Sequence, residues 1–205
     1  MKKAIVYIDG FNLYYGIRSL NKPYLKWLDV QKLAESFLRG GSQLVQVKFF
    51  TAMITGNTEK CNRQKHYLEA LKANSTHLTI IKGHYLTKGF NCRKCNYHNE
   101  TFEEKQSDVN LSCELLEDTY ENRFDIAYVV SGDSDLTMPV SKVVARSKPV
   151  IIANPPARKS QALIRAASSN FSINIRRLRS CILPVQFNTE NGRYKMPEKW
   201  QSEIR

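Results

Sequence analysis

Short apolar runs alternate with helically spaced apolar positions along the chain as far as residue 175. Residues 3–8 (KAIVYI) form a continuous apolar run of strand length, suited to a strand covered on both faces, and the run ends in Asp9-Gly10-Phe11-Asn12. Residues 30–39 follow an N-capping Asp29, place Leu33 and Phe37 on one helical face, and stop at Gly40-Gly41. Further strands are predicted at 44–54, 78–86, 125–130, 149–153 and 171–175. Helices are predicted at 58–73, 108–120, 136–145 and 158–167. This alternation argues for one α/β domain with a doubly wound, mainly parallel sheet and helices on both faces. The pattern breaks twice: residues 87–104 read as a Cys-containing inserted hairpin or loop, and the chain from Arg176 onward turns basic and irregular. The domain is therefore expected over residues 1–183, with a C-terminal extension at 184–205.

Composition adds a sign. With 31 Lys and Arg against 19 Asp and Glu the net charge is +12, a field that attracts polyanions and makes nucleic acid the leading partner. No apolar run of about eighteen residues is present, and the start lacks a signal-peptide pattern, so a cytoplasmic protein with no membrane contact is expected. Five cysteines, an odd number, favour reduced thiols or a metal clip over a disulfide framework.

Against this basic background stand carboxylates at strand ends. Asp9 ends the first strand, and Asp133 and Asp135 follow the strand 125–130 in the turn Ser131-Gly132-Asp133-Ser134-Asp135. Taken singly, each is an ordinary turn residue. In a sheet of order about 3-2-1-4-5, the first and fourth strands are neighbours at the point where ligands bind, and their acids converge. Asp108, at a helix start, either joins them or acts as an N-cap. Clustered acids need a counter-ion, and carboxylate oxygens suit a hard cation, Mg2+ or Mn2+. An acidic cluster in a basic surround points to phosphodiester hydrolysis. A small-phosphate hydrolase is disfavoured, because Asp9-Gly10-Phe11 offers no Asp-x-Asp nucleophile pair.

The segments IVYIDGFNLYYG (5–16), EEKQSDVNLSCELLED (103–118) and YVVSGDSDLTMPV (128–140) together resemble the NYN family, the PIN-like nuclease group that includes LabA-like proteins, over residues 3–183. The resemblance implies a PIN-like fold and a metal-dependent endoribonuclease whose acidic site is Asp9, Asp108, Asp133 and Asp135. It also matches Asn12, as a residue that fixes a carboxylate or meets a phosphate, and Ser131, as a hydrogen-bond donor beside the acids. A catalytically weak or inactive RNA-binding regulator of the same fold is the alternative.

Arg158, Lys159 and Ser160, at the head of the helix 158–167, are candidate phosphate contacts or a solvated helix start. Arg176, Arg177 and Arg179, followed by Arg193, Tyr194, Lys195, Lys199 and Trp200, suit a single-strand RNA track; a solvated tail or a homodimer contact is the other reading. Cys92, Cys95 and His98 have the spacing of half a structural Zn2+ knuckle, with a free thiol pair as its alternative.

Overall fold

The computed structural model describes residues 1–54, 57–91, 95 and 98–201, with side chains left undescribed at 84–91 and 98–105. The sheet has seven strands: β1 (Lys2–Asp9), β2 (Ser42–Ala52), β3 (Leu78–Asn91), β4 (His98–Lys105), β5 (Ile126–Val130), β6 (Val150–Asn154) and β7 (Ser169–Ser172), ordered β4-β3-β2-β1-β5-β6-β7. Every pairing is parallel except β3 with β4, an antiparallel hairpin at the edge. The mainly parallel α/β sheet expected from the alternation is thus present. The chain runs outward from β1 through β2 to β3, then returns to the other side of β1 through β5, β6 and β7. The direction reverses between β1 and β5, the switch point beyond which open α/β sheets bind ligands.

Side-chain alternation along β1 divides the core. Ala4, Val6 and Ile8 face one cluster with helices α1 (Gly10–Arg18), α2 (Val30–Glu35) and α3 (Thr58–Asn74). Ile5 and Tyr7 face the other, with α4 (Ser107–Tyr120), α5 (Thr137–Val144) and α6 (Gln161–Ala166). Burial on both faces is what a continuous apolar run requires.

An ionic cluster pins α4 to the sheet. Asp118, wholly buried at 0% exposure, takes Lys48 Nζ of β2 at 2.6 Å, the Tyr7 hydroxyl of β1 at 2.5 Å and Arg123 Nη1 at 2.6 Å. Lys48 Nζ also meets Glu114 Oε2 at 2.6 Å. Burial works to raise the Asp118 pKa, but hydrogen bonds from Lys48, Tyr7 and Arg123 outweigh it and hold the carboxyl below its ordinary value.

Three expectations need correction. Residues 10–18, outside every predicted element, form α1, capped by Asp9. The helix expected from Arg158 starts at Gln161, because Ala157 takes a left-handed φ of 53° and Ser160 caps the first turn. The region past Arg176 is not irregular: it contains α7 (Ile175–Ser180), a hairpin of β8 (Gln186–Thr189) and β9 (Gly192–Lys195), and α8 (Glu198–Gln201). This segment docks on the core. Met196 is buried, and Trp200 lies 6.2 Å from Trp27 and 5.9 Å from Tyr67, ring centre to ring centre.

Candidate functional site

Asp9 closes β1 and caps α1, so one residue both ends a strand and starts a helix. Its neighbour across the switch point is Ser131, because Ile8 pairs with Val130 in the parallel register of β1 and β5. The Ser131 hydroxyl donates to Asp9 Oδ2 at 2.9 Å, and the Asn12 side-chain amide donates to the same oxygen at 2.8 Å. The Asn12 backbone N–H donates to Asp9 Oδ1 at 2.9 Å, while Asn12 Oδ1 accepts from the Gly132 N–H at 3.2 Å. Asn12 thereby ties the α1 start to the turn after β5. That turn continues the network: the Asp133 N–H donates to Ser131 Oγ at 3.1 Å, and the Asp135 N–H to Asp133 Oδ1 at 3.0 Å.

Asp9 is 3% exposed, and its pKa is raised first by burial and further by the Asp133 charge, despite the three hydrogen bonds that favour the anion. A carboxylate offers about four lone-pair sites. Asp9 Oδ2 uses both of its own and Oδ1 keeps one, while Asp133 Oδ2 accepts no hydrogen bond among the described residues. Two adjacent carboxylates, one of them buried and both retaining a lone pair, fit a divalent cation that keeps most of its water.

Among the described residues no group of three or more His, Cys, Asp or Glu side chains stands close enough to hold a metal ion. Asp135 is exposed, its backbone serving to orient Asp133. Asp108 lies within the first turn of α4 rather than at its cap, which Gln106 occupies with a φ of 80°. The Ser107 hydroxyl beside it is buried without a hydrogen-bond partner.

Close backbone packing fixes the crevice walls. A Cβ added to Gly132 would lie 2.7 Å from the Arg158 carbonyl carbon, and one added to Gly16 would lie 2.8 Å from Pro155 Cβ. The loop 155–158 therefore seats against both the acid turn and α1. Arg158 extends its guanidinium over the Tyr15 ring at 5.5 Å, which brings a cation beside the site. Lys159 is exposed, and Ser160 uses its hydroxyl to accept from the Leu163 N–H at 3.3 Å, as a helix cap.

Arg176 is exposed, Arg177 packs over Phe37 and Phe171 at 5.6 and 5.0 Å, and Arg179 donates to the Tyr24 hydroxyl at 3.0 Å. Tyr194 stacks on Phe187 at 5.4 Å, so this ring and Trp200 serve packing within the fold. Of the knuckle residues, Cys92 lies outside the described residues, as does the side chain of His98, and Cys95 is an exposed free thiol.

The profile of the NYN domain matches residues 3–174 of this chain, a span that contains all of β1 to β7 after the first residue of β1. The chain belongs to the NYN domain family. A relative, 6-hydroxy-3-succinoylpyridine 3-monooxygenase HspA of Pseudomonas putida, is 26% identical over 234 aligned positions, covering 95% of this chain and 74% of that protein. Among solved structures, a Vibrio parahaemolyticus protein of unknown function superposes with a TM-score of 0.56 at 18% identity, covering 85% of this chain and 94% of that one. That likeness is one of fold. The NYN domain brings with it a PIN-like, nuclease-type architecture, and among the described residues no helix is long and apolar enough to cross a membrane.

Sequence reasoning missed the Lys48–Asp118 cluster and the contact of Gly132 with Arg158. A lysine inside the apolar strand VQVKFFTA signalled the first, since a strand buried on both faces admits a cation only opposite a buried acid.

Proposed function

We propose that this protein is a divalent-metal-dependent endoribonuclease acting at the crevice between β1 and β5. The observation that carries this reading is the buried Asp9 carboxylate set beside Asp133 by Ser131 and Asn12, at the switch point of an NYN fold. Asp9 and Asp133 would hold Mg2+ or Mn2+, with Asp108 and Asp135 acting through water. The ion would supply positive charge to the phosphate oxygens as charge builds in the transition state. Asn12 favours the Asp9 anion and aims it, Ser131 sets the separation of the two acids, and Arg158 offers a cation to a phosphate beside the cut. Ser131 donates a hydrogen bond to Asp9 and has no His partner among the described residues, so it acts as a positioning residue rather than a nucleophile.

The test is incubation with a mixed RNA pool and Mg2+, Mn2+ or chelator, with the cut ends mapped. Wild type should cleave only with metal, and Asp9→Asn and Asp133→Asn should each lose cleavage while remaining folded. Equal cleavage by either variant would overturn the site. The absence of a third direct acid ligand among the described residues favours a second reading, an RNA-binding regulator with weak or no activity. Metal-independent RNA binding without cut ends would support that reading. HspA's name assigns that protein a pyridine oxidation; its named substrate belongs in the same assay series as a control.

A further inference from the structure

A cleft of about 690 Å3 opens on the β2 side of Asp9 and lies apart from the acid network. Its floor is Gly10 and Phe11, directly after Asp9, with Phe49 and Thr51 near the end of β2. Its walls come from α1 and α3, and Trp200 of α8 lines it as well. Trp200 stands beyond the residues matched by the family, so the C-terminal segment completes a cleft that the matched span alone would leave open.

The lining combines rings and cations. Phe11, Tyr14, Tyr15, Phe49, Tyr67 and Trp200 supply aromatic surface, and Arg18, Lys26, Lys60 and Arg63 supply positive charge. No acidic residue lies among the described lining residues, although Glu59 on α3 pairs with Arg63 at 3.3 Å and with Lys199 at 2.6 Å. Lys26 shows what that imbalance costs: burial, then repulsion from Arg18 and Arg63, pushes its pKa down. An anion in the cleft would relieve that repulsion.

Two rings remain available on the exposed side of α1. Tyr14 and Tyr15 are 39% and 42% exposed and sit edge to face at 5.4 Å. Each already carries a cation over its ring, Lys26 on Tyr14 at 5.6 Å and Arg158 on Tyr15 at 5.5 Å. The pair thus spans from the cleft to the acid site. Exposed aromatics interleaved with cations are what an unpaired base and its phosphate require: a π-face to stack on and positive charge for the backbone.

We propose that this cleft is a subsite for one nucleotide unit, its base stacked on Tyr14 and its phosphate held by Arg18, Lys26 and Lys60. The unit is either a free nucleoside monophosphate or one residue of a single strand whose backbone continues past Tyr15 and Arg158 to Asp9. The choice of ligand rests on the nuclease reading; the binding itself does not, since the cleft contains none of the acids.

Binding is measured in chelator, so that cleavage plays no part, using fluorescence anisotropy with a labelled short oligouridylate and competition by the four nucleoside monophosphates and by a blunt RNA duplex. Wild type should prefer the single strand to the duplex. Tyr14→Ala should weaken it by about tenfold or more, the scale of one lost stack, whereas Tyr14→Phe retains binding because the ring suffices. Arg18→Ala with Lys60→Ala should reduce the slope of log affinity against log salt by about 1.4, two phosphate contacts at about 0.7 each on a single strand. Competition by a monophosphate at concentrations near its RNA equivalent assigns the free nucleotide as the source; competition only by oligomers assigns the strand. Unchanged affinity and salt slope in Tyr14→Ala and in the double variant would overturn the subsite, as would equal binding of the duplex. Absence of any metal-dependent cleavage by wild type, with this binding intact, would instead count against the nuclease reading alone.

Discussion

Replacing Asp118 with alanine removes the acid that joins α4 to the centre of the sheet. Lys48 and Tyr7 are both buried and both direct their polar atoms at Asp118, at 2.6 and 2.5 Å. Truncating one partner of a buried ion pair costs about 3–5 kcal/mol, because the other charge is left uncompensated. Here Lys48 retains Glu114 at 2.6 Å, whose side chain is partly open to solvent, which moves the charge contribution toward the lower end. The stranded Tyr7 hydroxyl adds about 1–3 kcal/mol, and the solvent-screened Arg123 adds little. A net loss of about 4 kcal/mol follows, a large share of the roughly 5–15 kcal/mol that holds a domain together. Urea unfolding followed by circular dichroism should show a lower midpoint with an unchanged slope. Lys48→Met combined with Asp118→Ala should cost less than the sum of the single changes by at least about 1 kcal/mol, since the lone ammonium is gone. The pH dependence has a defined sign. The folded-state pKa of Asp118 is depressed, so its contribution is fully present above the ordinary value of 3.8 and lost as pH falls through the folded value. The gap between wild type and Asp118→Ala should therefore narrow below about pH 4. A loss under about 1 kcal/mol, or strict additivity of the two changes, would refute this account of the cluster.

Further outcomes concern the acid site. Asp9 has a raised folded-state pKa, so its ionisation subtracts stability as pH rises from 3.8 through the folded value. Asp9→Asn should accordingly be as stable as wild type at pH 7, or more stable by about 1 kcal/mol, in the same urea experiment. Mg2+ or Mn2+ should raise the Tm of wild type but not of Asp9→Asn in thermal scans; an equal rise in both would remove Asp9 from the metal ligands. Gly132→Ala places a Cβ 2.7 Å from the Arg158 carbonyl carbon and should cost about 1–3 kcal/mol together with most RNA cleavage. Unaltered stability and activity in that variant would show that the loop yields freely.

The order of the sheet was readable because each strand is a short apolar run and each intervening helix keeps its period, as in residues 58–73 and 108–120. Asp9 and Asp133 were readable for the same reason, since both follow such runs directly. What escaped reading was held by contacts distant along the chain. The stretch GFNLYYGIR has two glycines and three aromatics, all weak helix formers, and becomes α1 through the Asp9 cap and packing of Leu13 and Ile17 into the core. Elements of four residues such as β8, β9 and α8 are too short to show a period, and their order comes from Met196 joining the buried core and Trp200 meeting Trp27 and Tyr67. Lys48 stands out inside its apolar strand, but nothing names Asp118 as its partner until the fold places them together. The positions of Asp108 and Asp135 depended on helix geometry that the motif alone does not carry.

The docking of Trp200 on Trp27 has a practical corollary for anyone preparing this protein. Trimming to the span matched by the family would leave Trp27, Leu28 and Tyr67 without their cover, an oily face on an otherwise cationic particle. Such a preparation should self-associate at concentrations where the full chain stays dispersed, and poor behaviour of the trimmed form would report lost cover rather than a faulty domain.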